Sequence, residues 1–354
     1  MAESSKTSKL IIDAFSKEVP AVTETGEIAP EILNILQSCK LDLSQDIPDP
    51  EVLVSREGLP VCTRENFSVI VGLAGSRKTF LCTGIAASFL SERGCIGLEK
   101  ASKGGSLLWV DTEQAAGHVA RIGRRLNRLT GFPSNCNQPN ITILCLREYQ
   151  PDERRRIFDA ALSLYEPDFA VLDGVSDLIT DPNNSDQSSE IINHLLAVTK
   201  RFNCHVLTVI HSNVGSDKAR GHLGSEALRK CETAILAIAN NEITDCKFQK
   251  TRDMRPSDFA FSVNDGLPTA ADFMPKQSKA TKLSQGIADV MPQLPDVISH
   301  KDLCQKIMSA EGVKERTAKS RISEAVLQGL IIKNKSGMYH LPFAQDSTEI
   351  EMPF

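Results

Sequence analysis

The chain has 354 residues, 41% hydrophobic and 24% charged, with a formal net charge of −5. The length fits two domains, or one large domain plus a small one, and the composition excludes collagen-like, wholly disordered and disulfide-scaffold chains. No apolar run approaches the ~20 residues that span a bilayer, and the opening MAESSKTSKL lacks a basic-then-apolar leader, so a cytoplasmic location is expected.

Residues 1–47 read as an N-terminal arm with scattered hydrophobes and no clear period. The prolines from Pro48 to Pro60 read as an extended lead-in. From Asn66, short β-type runs alternate with longer helical patterns. The strands are expected at 67–72, 106–111, 141–146, 169–173, 205–210 and 234–239, with helices near 78–92, 116–129, 151–165 and 187–202. Continuous apolar strands separated by crossover helices predict an α/β fold with a mainly parallel sheet buried on both faces. DCKFQK and FAFSV read as a closing antiparallel edge. This domain is expected to span 48–274. A linker with one short helix follows at 275–298. Helical runs at 300–310 and 314–330 and a hairpin at 331–342 then give a small C-terminal winged helix-turn-helix over 299–343, ended by an acidic tail at 344–354.

Charge follows the same division. Residues 275–343 hold 11 Lys/Arg against 6 Asp/Glu, the tail holds three acids, and residues 1–274 carry a net excess of seven negative charges. Any affinity for nucleic acid is therefore expected in the appendage. Of ten cysteines none form C-x-x-C; many, among them Cys82, Cys95, Cys145, Cys204 and Cys231, sit in apolar runs and read as reduced core residues, with no zinc site expected.

The strand FSVIVG runs into GLAGSRKT (72–79) and then a helical pattern. G-x-x-x-x-G-K-[ST] between strand and helix is the Walker A phosphate loop. Gly72, Lys78 and Thr79 fit, whereas Arg77 replaces the second glycine. The stretch Gly72, Leu73, Ala74, Gly75, Ser76, Arg77, Lys78, Thr79 and Phe80 is the expected cradle, its backbone N–H groups facing phosphate oxygens at a helix N-terminus. Lys78 would reach the β- and γ-phosphates and Thr79 would hold Mg²⁺. Gly75 is expected to supply the flexibility lost at position 77, and Arg77 to touch the chain's own phosphates. Three further strands end in polar residues at the same sheet edge: Asp111-Thr112-Glu113-Gln114, Asp173 and His211. That edge is where ligands of open α/β sheets bind.

From Asn66 to Val263 the chain resembles the RecA-like P-loop ATPases of the hexameric replicative-helicase group, especially plasmid RepA-type and DnaB-type proteins. Its lead-in NFSVIVGLAGSRKTF is similar to ATPases of bacterial mobile elements that also lack the second glycine. The resemblance implies ATP and Mg²⁺ as cofactors. It implies Glu113 as activator of the attacking water, Asp173 as the Walker B carboxylate assisting the metal, and His211 as the polar sensor. It also implies that Lys250 and Arg252, in Lys250-Thr251-Arg252, reach a neighbouring subunit's nucleotide, and hence a homo-oligomer, such as a hexameric ring.

For the loop 212–228, the resemblance implies that Lys218 and Arg220 face a nucleic-acid channel. Lys314, Arg316, Lys319 and Arg321 are expected on a recognition helix, with Lys333 and Lys335 on the wing. Arg121, Arg124, Arg125 and Arg128, opposite the stripe Val119, Ile122, Leu126 and Leu129, read as a solvated face or subunit contact. The leading reading is a DNA-associated, helicase-like motor in replication or mobilisation of a plasmid or mobile element. The alternatives are a DNA-binding regulator or loader that uses ATP as an assembly switch, and a small-molecule phosphotransferase.

Overall fold

A computed structural model describes residues 28–102, 105–213, 218–273, 297–327, 329–334 and 336–341, and the chain divides at Met274/Pro275 into two units. In the first, α1 (Pro30–Cys39) precedes β1 (Val52–Arg56), β2 (Leu59–Thr63), β3 (Phe67–Gly72), α2 (Lys78–Leu90), β4 (Glu99–Lys100), β5 (Leu107–Asp111) and α3 (Ala116–Thr130). Then come β6 (Ile141–Cys145), α4 (Pro151–Tyr165), β7 (Phe169–Asp173), a 3₁₀ turn (Val175–Leu178), α5 (Ser185–Phe202), β8 (His205–His211), α6 (Gly221–Lys230), β9 (Ala234–Asn240), β10 (Ile243–Lys250), β11 (Phe259–Asn264) and β12 (Leu267–Ala271).

The main sheet has nine strands in the order β12-β11-β10-β9-β3-β8-β7-β5-β6. From β9 to β6 every pairing is parallel, and β10, β11 and β12 extend the sheet antiparallel. The strands are Val/Ile/Leu/Phe-rich because both faces are covered. Phe67, Val69 and Val71 join the core under α4, α5 and α6, and Ile70 joins the core under α2 and α3. Each such side chain contributes about 1.5–3 kcal/mol on burial. α2 is apolar nearly all round, with Leu81, Cys82, Ile85, Ala86, Ala87 and Phe89 all buried. The sheet covers one side of it and β1, β2 and β4, a small three-stranded sheet, pack on the other.

Three departures from expectation have physical causes. The lead-in is a β-hairpin, β1 with β2, turning at Glu57-Gly58. Its Pro60 sits on an edge strand, where no N–H is needed on the outer side. Pro268 does the same on β12, an unexpected ninth strand. Residues 221–228, expected as loop, belong to α6; Gly224 is there because a Cβ would lie 2.6 Å from the backbone of Ala219. Asn184 caps α5 by accepting from the backbone N–H groups of Asp186 and Gln187.

The second unit contains α7 (His300–Glu311), α8 (Glu315–Leu327) and a hairpin of β13 (Ile332–Lys333) and β14 (Tyr339–His340). Ile298, Leu303, Ile307, Ala318, Ile322, Ala325, Ile331 and Tyr339 form its core. The expected short linker helix, Lys335 and the acidic tail lie outside the described residues. Among the described residues no helix is long and apolar enough to cross a membrane. The cysteines are free; Cys62, Cys82, Cys204, Cys231, Cys246 and Cys304 are buried.

Candidate functional site

Parallel pairing brings the carboxyl ends of four strands into line. Gly72 on β3 pairs with His211 on β8, and Asp111 on β5 pairs with Asp173 on β7. A cleft of about 780 Å³ opens there, lined by Ala74, Gly75, Arg77, Lys78, Thr79, Phe80, Glu113, Gln114, Asp173, Asp177 and His211, with His118, Arg121, Ile122 and Arg125 from α3. Lys78, Glu113, Asp173 and His211, four separated pieces of sequence, thus share one cavity.

The loop between β3 and α2 is tightly built. A Cβ on Gly72 would lie 2.4 Å from Ser76 Oγ and 2.7 Å from the carbonyl of Ala237, so any side chain there would force its neighbours to shift. Ser76 is buried behind the loop and its N–H donates to the carbonyl of Leu73 at 3.1 Å. Gly75 and Arg77 both take left-handed backbone conformations, with φ of 77° and 62°. Position 77 thus takes a backbone conformation that favours glycine, and Gly75 takes one as well. Arg77 does not extend to the phosphates as expected. Its Nη2 donates to the carbonyl of Asn241 at 2.5 Å, and its Nη1 to Thr244 Oγ1 at 3.0 Å and the carbonyl of Ile243 at 3.3 Å.

Lys78 Nζ donates to the carbonyls of Gly72 (3.0 Å) and Leu73 (2.8 Å) and lies 3.3 Å from His211 Nδ1. An ammonium only donates, so Nδ1 of His211 accepts and its proton sits on Nε2. Enclosure lowers the Lys78 pKa, against the pull of Asp173 and Glu113; enclosure and then the Lys78 charge lower that of His211. Thr79 Oγ1 donates to Asp173 Oδ2 at 3.0 Å. Burial, then Asp111, pushes the Asp173 carboxyl up to about 6, with Glu113 adding to the rise and the Thr79 bond opposing it.

Asp111, which the sequence did not single out for a role, builds the turn that carries Glu113. Its buried carboxylate accepts from the N–H of Glu113 (3.1 Å), the N–H of Gln114 (2.7 Å) and Gln114 Nε2 (2.7 Å). Burial raises its pKa, and these donors hold it down. Thr112 Oγ1 donates to Asp177 Oδ2 at 2.7 Å, fixing a second carboxylate at the cleft wall. On α3 the arginines divide. Arg121 and Arg125 line the cleft; Arg121 is exposed as expected, whereas Arg125 is half-buried. The Arg125 guanidinium lies 3.8 Å from the Phe80 ring centroid, and burial brings its pKa down to about 10. Arg128 instead pairs with Asp265, and Arg124 donates to Asn135. The signal for the cleft pair was the i, i+4 spacing of 121 and 125 from a helix that starts at the sheet edge.

Lys250 and Arg252 do not enter this cleft. Lys250 pairs with Ala234 at the amino end of β9, which is level with Val69, about 10 Å along the strands from Gly72. Lys250 Nζ donates to the carbonyls of Leu228 (2.9 Å) and Arg229 (2.7 Å) at the end of α6, and Arg252 lies 3.5 Å from the carbonyl of Lys230. Lys218 and Arg220 are exposed at the carboxyl edge, where the N–H of Arg220 donates to the carbonyl of His211 at 2.8 Å. In the second unit Lys314, Arg316 and Lys319 are exposed, Lys319 pairing with Glu315 at 2.7 Å. Arg321 is half-buried with Nε and Nη1 shielded from solvent, so it does not stand out with the other three.

The oxygen donors Thr79 and Asp173 suit a hard divalent cation such as Mg²⁺, and the crowding that lifts the Asp173 pKa is what such a charge would relieve. No curated protein matches the chain. A sequence profile described as an AAA domain (AAA_25) matches residues 36–217, just over half of the chain, taking in the phosphate loop, Glu113, Asp173 and His211. The chain belongs to this AAA domain family, a family of P-loop ATPases with a RecA-like core.

Proposed function

We propose that the protein is an oligomeric, Mg²⁺-dependent ATPase that works on DNA as a helicase-like motor, in replication or mobilisation of a plasmid or other mobile element. The observation that carries the ATPase part is the convergence of Lys78, Thr79, Glu113 and Asp173 on one cleft at the α2 N-terminus. α2 has no acidic residue in its first turn, so its free N–H groups and positive dipole end are left for phosphate. Thr79 and Asp173 would hold Mg²⁺, which when bound supplies positive charge to the β- and γ-phosphates. Lys78 adds a second positive charge. Glu113, exposed on the turn that Asp111 fixes, is placed to take the proton of the attacking water. Phosphoryl transfer asks for little more than positioning and charge. Phe80, Ile122 and Arg125 offer an apolar and planar wall at the α3 side, fit for a base. Lys250 and Arg252, out of reach of their own cleft, support completion of the site by a neighbouring copy.

The DNA part rests on the basic segment, with Lys314, Arg316 and Lys319 exposed along the start of α8 and Lys333 on β13. The helix pair and hairpin are read as a winged helix, with Lys218 and Arg220 as the contacts of the ATPase unit. A second reading, ATP as an assembly switch with little hydrolysis, draws on Arg77 in the glycine position.

The deciding experiment is nucleotide binding and turnover with and without single- and double-stranded DNA, comparing the wild type with Lys78→Ala and Glu113→Gln. Lys78→Ala should weaken Mg-ATP binding by about tenfold or more. Glu113→Gln should bind normally and turn over about 10²–10⁴ times more slowly. Equal binding by wild type and Lys78→Ala would remove the ATPase reading. ATP-dependent DNA binding with negligible wild-type turnover would replace the motor by the switch.

A further inference from the structure

We propose that Arg77 is a positioning residue of the phosphate loop: its grip on the β9–β10 turn holds position 77 in the left-handed conformation that glycine would otherwise supply. This rests on the nucleotide-binding reading of the cleft and goes beyond it.

The backbone demand is plain. Position 77 immediately precedes α2 and its carbonyl accepts the first helical bond, from the N–H of Leu81 at 3.0 Å. Its φ of 62° lies in the region that costs a side chain with a Cβ and costs glycine nothing. Lys78 and Thr79, which line the cavity, follow directly, so a change of position 77 to the right-handed region would reorient their backbone N–H groups. Something must offset that preference, and the hydrogen bonds of the side chain do so. The guanidinium spans three acceptors on one turn: the carbonyls of Asn241 and Ile243 and the hydroxyl of Thr244. Thr244 is fully buried in β10, so the anchor is rigid. A planar fork with several fixed donors matches such a set, and a lysine does not. The residue that looks like a lesion in the motif is thus its own compensation, and it acts without touching the nucleotide.

Loss of the anchor and loss of the Cβ are separable, and this makes the test. Binding of the fluorescent analogue mant-ATP with Mg²⁺ is measured on the full-length wild type, Arg77→Ala, Arg77→Lys and Arg77→Gly, alongside melting without nucleotide. Arg77→Ala keeps the conformational cost and loses the anchor. It should bind about tenfold more weakly, the equivalent of about 1.4 kcal/mol. Arg77→Gly loses both and should recover most of that affinity; Arg77→Lys should fall between. Thr244→Val should weaken binding in the wild-type background and have no effect in the Arg77→Gly background. Equal affinities for Arg77→Ala and the wild type would overturn the proposal. So would Arg77→Gly as weak as Arg77→Ala, since the guanidinium would then be meeting the nucleotide itself. Parallel losses of melting temperature in the Ala and Gly variants, with unchanged affinity of the folded protein, would also overturn it by assigning Arg77 to fold stability. A wild type that binds no mant-ATP would instead bring down the nucleotide reading, and the clamp with it.

Discussion

His205 sits fully buried at the amino end of β8, its Nδ1 donating to the carbonyl of Thr63 at 2.8 Å and its ring 5.1 Å from that of Phe169. Nε2 is enclosed and has no hydrogen-bond partner among the described residues, and burial brings the pKa down to about 4. The native state therefore keeps the ring neutral, whereas the unfolded chain takes up a proton near pH 6.5. The stabilisation is complete above the unfolded value and drains away as pH falls towards the folded one. Glu232, 3.8 Å away and raised by its own burial, acts with the opposite sign only nearer the usual carboxylate range. Between pH 7 and 5.5 the His205 contribution should cost the wild type about 1 kcal/mol. Thermal melts at these two values should show a clear drop. His205→Gln should melt lower at both but with a smaller difference between them; an unchanged difference would mean that the buried imidazole is protonated in the fold.

The junction of β3, the phosphate loop and α2 concentrates the steric demands of the fold. Gly72→Ala would press a methyl group against Ser76 Oγ and the carbonyl of Ala237. Overpacking of this kind costs about 1–3 kcal/mol, so the variant should melt several degrees lower and lose mant-ATP affinity together. An unaltered melt would show that β9 can yield. This junction is also where sequence reading succeeded. The strands that end at the cleft are continuous apolar runs, the pattern of a strand covered on both faces, and the terminal Asp111, Asp173 and His211 stand out against it. Elements whose signal was diluted were missed. Pro60 and Pro268 masked β2 and β12 because a proline is a breaker everywhere except an edge. Gly221 and Gly224 masked α6, since close packing on Ala219 is not visible along one dimension. The placement of Arg121 and Arg125 in the cleft needed the direction of α3, which periodicity alone does not give. Arg77 was read as a gap in a motif because its compensating partners lie more than 160 residues away.

At the scale of the whole chain, residues 1–274 carry the acidic excess and residues 275–343 the basic one. Under the DNA reading, affinity should fall steeply with salt, because each neutralised phosphate adds about 0.9 to the logarithmic slope on duplex DNA. Replacing Arg316 and Lys319 by Ala, together with Lys314→Ala, should lower that slope by two to three. An unchanged slope and affinity would place DNA contact elsewhere or nowhere.

Lys250 and Arg252 stand at one end of the main sheet and the cleft at the other. If those two cations serve the next copy, the contact is head-to-tail, and head-to-tail contacts either close or run on. A finished active centre then belongs to a junction and not to a polypeptide. An open row always has one junction fewer than it has members, and its last cleft idles, while a closed circle leaves none idle. Small assemblies would gain most from closing, which ties the arithmetic of turnover to the curvature of the interface.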